Sequence, residues 1–154
     1  MNKFKAILVT ENNGEIQLSK QEIPIEDLPN GEVLIRVKFS SINYKDGLVL
    51  NGNKGKVIRK FPMIPGIDLA GVVEESSSID FKKGDEVVAT GSGLSEIVWG
   101  GYSEFARLDS NKIVHLPKGI NLKRSMAIGT AGFTAMLCIL ALEKNGINKD
   151  KSII

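Results

Sequence analysis

The stretch NGEVLIRVKFS, residues 30–40, decides the fold class of this 154-residue chain. After the turn signal Asn30-Gly31, apolar and polar residues largely alternate, and a period of two is that of a β-strand with one buried face. The predicted buried face carries Val33, Ile35, Val37 and Phe39. The chain is therefore expected to be built on β-structure.

Shorter β-like runs flank this strand on both sides. They cover residues 4–9, 16–19, 69–74 and 86–89. Turn signals punctuate the sequence between them, as in Lys83-Gly84-Asp85 before the last run. Many short strands with glycine-rich turns favour a barrel or sandwich over an alternating βαβ array.

The pattern changes near the carboxyl end of the sequence. Residues 122–144 have the length of a helix and few helix breakers, and Asn145-Gly146 suits a helix stop. The most apolar part, residues 131–142, is too short to cross a bilayer and is expected to be a buried helix. Residues 150–154 are expected to form a turn that leads into a further strand.

Composition excludes several classes of protein. The 20 basic and 18 acidic residues give a net charge of +2, too small for a typical polyanion-binding protein. The single cysteine, Cys138, excludes an intrachain disulfide, and the apolar run at residues 6–9 is too short for the core of a signal peptide. We therefore expect a soluble, cytoplasmic protein that binds neither nucleic acid nor membranes.

Four segments in this order resemble the medium-chain dehydrogenase/reductase superfamily. They are SSINYKD at residues 40–46, PGIDLAGVV at 65–73, GDEV at 84–87 and GTAGFTA at 129–135. Three longer stretches resemble a narrower branch, the acryloyl-CoA reductases long called quinone oxidoreductase-like. They are KVIRKFPMIPGIDLAG at 56–71, WGG at 99–101 and IGTAGFTAMLC at 128–138.

The resemblance implies a domain layout and a cofactor. Residues 1–122 would form the mainly β, GroES-like catalytic domain, a partly open barrel. Residues 123–154 would form a linking helix and the first strand of a truncated Rossmann α/β domain. NADPH is the cofactor that the family implies, but the sequence ends before the glycine-rich turn that receives the pyrophosphate in such folds, so its main binding motif is absent here.

Zinc-dependent relatives carry a cysteine in the first segment and Gly-His-Glu in the second, where this chain reads Gly66-Ile67-Asp68. A catalytic zinc site needs three protein ligands, typically Cys, His or carboxylate. With one cysteine and one histidine in the whole chain, we expect no metal site.

The resemblance also implies site residues. Asn43 and Tyr44 stand where zinc relatives carry their first ligand, so they are candidate hydrogen-bond donors to a developing negative charge. Tyr44 is in addition a candidate general acid and cofactor contact, and Asp46 a candidate orienting group or a helix-capping carboxylate. The alternative is a polar loop without catalytic duty.

Further contacts are expected from the long helix and from one loop. Thr130 and Thr134 share a helical stripe and would contact the cofactor, unless their hydroxyls bond back to helix carbonyls. Lys56 and Arg59 would meet the phosphates of a coenzyme A thioester, unless their loop is merely solvated. Trp99 would wall the substrate cleft, or else be a core or interface tryptophan.

The leading hypothesis is the catalytic part of an NADPH-dependent reductase of acryloyl-CoA or a similar short enoyl-CoA, acting without a metal. Quinone or enone reduction is the alternative within the same class. A truncated non-enzymatic fragment or binding domain is the alternative from another class. Because a helix apolar nearly all round is normally covered on several sides, we also expect an exposed apolar patch and a homo-oligomer.

Overall fold

A computed structural model describes residues 3–147. Seven strands and two helices make up the fold, with short 3-10 turns at Ile25–Asp27 and Ser110–Lys112. The strands are β1 (Lys3–Asn12), β2 (Glu15–Pro24), β3 (Val33–Ser40), β4 (Asp68–Ser76), β5 (Glu86–Thr90), β6 (Phe105–Leu108) and β7 (Val114–His115), and the helices are α1 (Tyr44–Leu50) and α2 (Leu122–Lys144). The expectation of a mostly β protein with a carboxyl-terminal helix is confirmed. The expected strand at the end of the chain lies outside the described residues.

β3 lies inside a five-stranded antiparallel sheet of order β6-β3-β4-β5-β7. Its pairing with β4 shifts register between Leu34 and Ile35 and again between Val37 and Phe39. Leu34 is buried against the amino-terminal hairpin, whereas Phe39 is 40% exposed. The predicted single buried face is therefore wrong at both positions, because the start of β3 has protein on both sides and its end does not.

The β1–β2 hairpin forms a separate two-stranded sheet that closes over the larger one. Bridges from Ala6 to Ser103 and from Val9 to Met63 attach it. Phe4 and Ile64 are among the buried residues beneath the hairpin, and Phe4 meets Phe105 edge to face at 6.1 Å. Burial of this apolar surface is what holds the two sheets together.

α1 follows β3 directly, where the sequence analysis left a polar loop as one alternative. Asp46 in its first turn accepts a hydrogen bond from the Asn43 backbone N–H at 2.9 Å. This contact is one half of a capping box, so the capping role foreseen for Asp46 is observed. Val49 anchors the helix in a small core with Val9 and Met63.

α2 has the predicted bounds but is kinked at Gly129 (φ 52°, ψ −164°). Before the kink, Leu122 and Met126 pack on Ala70 and Val88. After it the helix is mainly exposed, so the expectation of a buried helix is wrong for the residues described here. The exposed large apolar side chains are Ile128, just before the kink, and Phe133, Met136, Leu137, Ile139 and Leu140 after it.

The second half of α2 therefore presents an apolar surface that no other described residue covers, as the sequence analysis expected. The 23 residues of α2 are also long and apolar enough to cross a membrane, a test that core helices of soluble proteins pass as well. Residues 131–142, the segment that the sequence analysis judges too short to cross a bilayer, are only part of this helix. Independence from membranes stays a prediction.

Candidate functional site

Asp68, the first residue of β4, is fully buried and collects donors from three segments of the chain. Its Oδ2 accepts from Ser41 Oγ at 2.5 Å and from Asn43 Nδ2 at 3.0 Å. The Thr130 backbone N–H donates to Oδ2 at 3.0 Å, and the Thr130 hydroxyl donates to Oδ1 at 2.5 Å. One carboxylate thus joins the end of β3, the start of α1 and the kink of α2.

The kink in α2 makes this arrangement possible. In a straight helix the Thr130 N–H would donate to a backbone carbonyl four residues earlier. The non-helical Gly129 begins a new helical segment at Thr130, whose N–H is then free to reach Asp68. A carboxylate at the start of a helical segment is also favoured by the helix dipole.

Asp46 is the second fully buried carboxylate of the site. Besides the Asn43 backbone N–H, it accepts the Ile67 N–H at 3.1 Å through Oδ1. Ile67 directly precedes Asp68, so Asp46 fixes the start of α1 against the start of β4.

The Asn43 side chain is held between the two carboxylates. Its Nδ2 lies 2.9 Å from Ser41 Oγ, 3.0 Å from Asp68 Oδ2 and 3.3 Å from Asp46 Oδ2. An amide nitrogen has two N–H donors, and ionised carboxylates only accept, which fixes the orientation of the amide. Both donors point at the protein. In this arrangement Asn43 orders the site and has no N–H left for a substrate.

Tyr44 differs sharply from Asn43, since it is 85% exposed at the first position of α1. Its neighbour Ile42 is 86% exposed. The two side chains project from the protein next to the half-buried Asn43 and the buried Asp46 and Asp68. Of the predicted catalytic residues, Tyr44 is the one with a side chain open to an incoming molecule.

Tyr102 is a site residue that the sequence analysis did not name. Its hydroxyl donates to the Ser41 carbonyl at 3.1 Å. Burial, and then the negative charges of Asp46 and Asp68, hold the pKa of Tyr102 well above its ordinary value. Tyr102 is thus a neutral, positioned phenol that braces the turn after β3.

This shift predicts a loss of stability in alkali. The unfolded chain releases the Tyr102 proton near pH 10, whereas the folded chain keeps it, so above about pH 10 the unfolded state binds fewer protons and folding weakens as pH rises. Urea titrations at pH 8 and pH 10.5 measure this fall. In Tyr102→Phe we expect a smaller fall over the same interval. If the free energy of unfolding of Tyr102→Phe falls as much between pH 8 and pH 10.5 as that of the parent, the assignment is wrong.

Thr130 and Thr134 line one groove, of about 520 Å³, between α2 and the ends of β5 and β7. Thr90, Gly91 and Phe133 line it as well. The Thr130 hydroxyl bonds to Asp68 and not to a helix carbonyl, which removes the alternative considered for that residue. Since its hydrogen is given to Asp68, the Thr130 oxygen is left as an acceptor.

The three predicted substrate-binding residues lie away from Asp68. Lys56 is exposed on its loop, and Arg59 is 4.0 Å from Glu96, which also forms an ion pair with Lys45 of α1. Trp99 is half-buried, and its indole N–H donates to the Pro62 carbonyl at 2.9 Å. The structure brings Asn43, Tyr44, Asp46 and Thr130 together but leaves these three residues elsewhere.

Asp68, Ser41 and Tyr102 were missed as site residues. Asp68 did carry a signal, because it is the one acidic residue in the apolar run at 63–73, and a buried carboxylate needs donors. Ser41 lies in the segment at 40–46 that carries the resemblance but was not singled out, and Tyr102 carried no signal. Within the described range, no three histidine, cysteine or acidic side chains are grouped as a metal site would require.

The chain is similar to known proteins over most of its length. Residues 29–118, more than half of the chain, match the alcohol dehydrogenase GroES-like domain family. The chain is 47% identical to the acrylyl-CoA reductase AcuI of Ruegeria pomeroyi and 42% identical to the putative quinone oxidoreductase YhfP of Bacillus subtilis. The two alignments cover 94% and 98% of this chain but 44% and 46% of the relatives.

Solved structures give the same result. The yhdH oxidoreductase of Salmonella enterica, in complex with NADP, superposes with a TM-score of 0.91 at 46% identity, over 95% of this chain and 45% of that one. Bacillus subtilis yhfP with NAD bound has a TM-score of 0.90 at 42% identity, over 96% of this chain and 45% of that one. The chain spans about half the length of the relatives it matches.

Proposed function

The chain belongs to the alcohol dehydrogenase GroES-like domain family, in the acrylyl-CoA reductase branch of the medium-chain dehydrogenase/reductases, and from this premise we propose that the whole protein is an NADPH-dependent reductase of acryloyl-CoA or a similar short enoyl-CoA. Its relatives are oxidoreductases, and neighbouring structures hold NADP or NAD. The present chain would supply the catalytic domain.

The observation that carries the proposal is the hydrogen-bond network of Asp68. It ties the Tyr44 end of α1, through Asn43, to Thr130 in the groove beside α2. A hydride acceptor beside Tyr44 and a hydride donor in the groove would be held at a fixed separation by buried, fully bonded groups. Such preorganisation is what a transfer reaction requires.

The groove suits the nicotinamide end of the cofactor. Its volume of about 520 Å³ falls in the range of small-molecule sites. The Thr130 oxygen, whose own hydrogen is bonded to Asp68, would accept from the carboxamide N–H₂, and Phe133 would border the ring. The bound cofactor supplies the hydride. The preference for NADPH over NADH rests on the family alone.

The proposed reduction adds the hydride to the β-carbon of the thioester, and the electron pair of the carbon–carbon double bond moves to the carbonyl oxygen. The α-carbon then takes a proton and the oxygen returns to a carbonyl. Tyr44 would donate that proton and recover one from solvent, to which it is 85% exposed. Asn43 and Asp46 would act by positioning Tyr44 and not by touching the substrate.

Quinone or enone reduction is the second candidate, since the 42% identical relative of Bacillus subtilis carries a quinone oxidoreductase name. The exposed Ile42 beside Tyr44 would suit an apolar ring as well as an acyl chain. A non-enzymatic role for the present chain alone is the third candidate. The exposed apolar face of α2 supports self-association of the present chain, so we propose that this chain forms a homo-oligomer.

A substrate comparison tests the proposal. The whole protein is supplied with NADPH and either acryloyl-CoA or a simple quinone, and the loss of absorbance at 340 nm is followed. We expect a kcat/KM at least about 100-fold higher for acryloyl-CoA, and Tyr44→Phe to lower its kcat by about 100-fold, as for loss of a general acid. Faster turnover of the quinone would favour the second candidate, and no turnover of either substrate would contradict the reductase proposal.

A further inference from the structure

A second pocket shares Lys112 with the groove at Thr130 and is otherwise lined by different residues. It has a volume of about 340 Å³ and is built from residues 29–30, 60–63, 97–99, 107–109 and 112. Apolar side chains, Trp99 and the buried Met63 and Leu108 among them, line it. The Trp99 indole is fixed by its hydrogen bond to the Pro62 carbonyl. The pocket therefore offers a rigid aromatic surface in a concave setting.

The rim of this pocket is basic. Lys60, Arg107 and Lys112 line it, against the single carboxylate of Asp109. Within residues 3–147 none of the three cations forms an ion pair. Cations left without partners around an apolar pocket suit a ligand that combines a flat ring with several negative charges.

The pocket is connected to the candidate active site along the surface. Glu96 forms an ion pair with Lys45, the residue after Tyr44, and lies next to Ile97 in the pocket wall. Glu96 also holds Arg59, the residue before Lys60. A long molecule that starts beside Tyr44 would cross Lys45 and Glu96 before it reaches the pocket.

We propose that this pocket binds the adenosine 3′,5′-bisphosphate end of a coenzyme A thioester. The inference rests on the proposed function for the identity of the ligand. The adenine would stack on Trp99, and the phosphates would face Lys60, Arg107 and Lys112. This assignment moves the phosphate contacts from Lys56 and Arg59, where the sequence placed them, to cations that form no ion pair within the described part of the chain.

The chain carries its own probe, because Trp99 is its one tryptophan. Adenosine 3′,5′-bisphosphate is titrated into this chain while indole emission is recorded. We expect saturable quenching, and about tenfold weaker binding in Lys60→Ala and in Lys112→Ala, since each variant removes one charge-assisted hydrogen bond to a phosphate. Lys38→Ala, an exposed lysine on β3 outside the pocket, is the matched control and should bind as the parent does. Quenching that does not saturate, or that inorganic pyrophosphate or the 2′,5′-isomer reproduces equally, overturns the proposal.

Steady-state kinetics of the whole protein separate this inference from the proposed function. In Lys60→Ala/Arg107→Ala, which changes two cations of the pocket that do not line the Thr130 groove, we expect the KM for acryloyl-CoA to rise at least about tenfold with kcat retained. The KM for the acrylic thioester of N-acetylcysteamine, which has no nucleotide, should not change. If this variant reduces acryloyl-CoA with an unchanged KM, the pocket assignment is wrong and the reductase proposal still stands. If the nucleotide binds at Trp99 but the whole protein does not reduce acryloyl-CoA, the reductase proposal is wrong and the pocket assignment still stands.

Discussion

Replacing Asp68 by alanine is expected to lower the free energy of unfolding by about 3–5 kcal/mol, because several hydrogen-bond donors lose one charged acceptor at the same time. The carboxylate accepts four hydrogen bonds, from Ser41, Asn43 and Thr130, and the variant leaves all four donors without this acceptor. A donor left buried and unpaired costs about 1–3 kcal/mol. Urea denaturation of the chain, followed by Trp99 emission, measures the change.

Two further variants make the Asp68 result specific. Asp68→Asn keeps the size of the side chain but offers one acceptor oxygen and turns N–H groups towards donors, so we expect a loss of about 2 kcal/mol. Asp80→Asn alters an exposed aspartate and should stay within about 0.5 kcal/mol of the parent. In the whole protein, Asp68→Asn should lower kcat/KM about 100-fold through misplacement of Asn43 and Thr130. A stability loss below about 1 kcal/mol in Asp68→Ala would falsify the central role of the carboxylate.

Gly129→Ala has the second largest expected effect, a loss of about 3 kcal/mol. At φ 52° and ψ −164° a side chain is strained, which costs about 1–3 kcal/mol. An alanine Cβ would also stand 2.8 Å from Asp68 Oδ2. We expect α2 to straighten in this variant, because that relieves the backbone strain at position 129. The Thr130 N–H would then donate to a helix carbonyl and lose its hydrogen bond to Asp68.

Hydrogen exchange and a matched glycine test this explanation. The exchange rate of the Thr130 amide reports whether its partner changes, and urea denaturation gives the free energy. Gly47→Ala is the control, because that glycine lies inside α1 with nothing within 4 Å of the added methyl group. Alanine there should stabilise the chain by up to about 1 kcal/mol. Equal effects at the two positions would show that the kink does not depend on Gly129.

Five of the seven described strands and the long helix could be predicted because their signals are local, whereas the short β6 and β7 were not among the predicted runs. The alternation at residues 33–39 predicted β3, and the unbroken stretch with Asn145-Gly146 at its end predicted the bounds of α2. Gly129 was not recognised as a kink, since a glycine inside a helical stretch is normally tolerated. α1 has seven residues, too few for a helical period to stand out.

Part of the site was accessible in the same way. The segment at 40–46 and the threonine at 130 drew attention through their resemblance to a family, and the structure places Asn43 and Thr130 on one carboxylate. That carboxylate was not among the predicted residues. The role expected of Asn43 also changed, because its donors are directed at the protein and leave Tyr44 as the group open to a substrate.

The sequence by itself determined the mostly β architecture, the bounds of the long helix and the segment that contains Asn43, Tyr44 and Asp46. Only the tertiary structure decided that Asp68 joins them to Thr130 and that Trp99 lies with Lys60 and Lys112. The physical reason is the separation of the residues along the sequence. Periodicity relates residues a few positions apart, whereas the donors to Asp68 come from positions 25, 27 and 62 residues away. Tertiary packing alone brings those donors to the buried carboxylate.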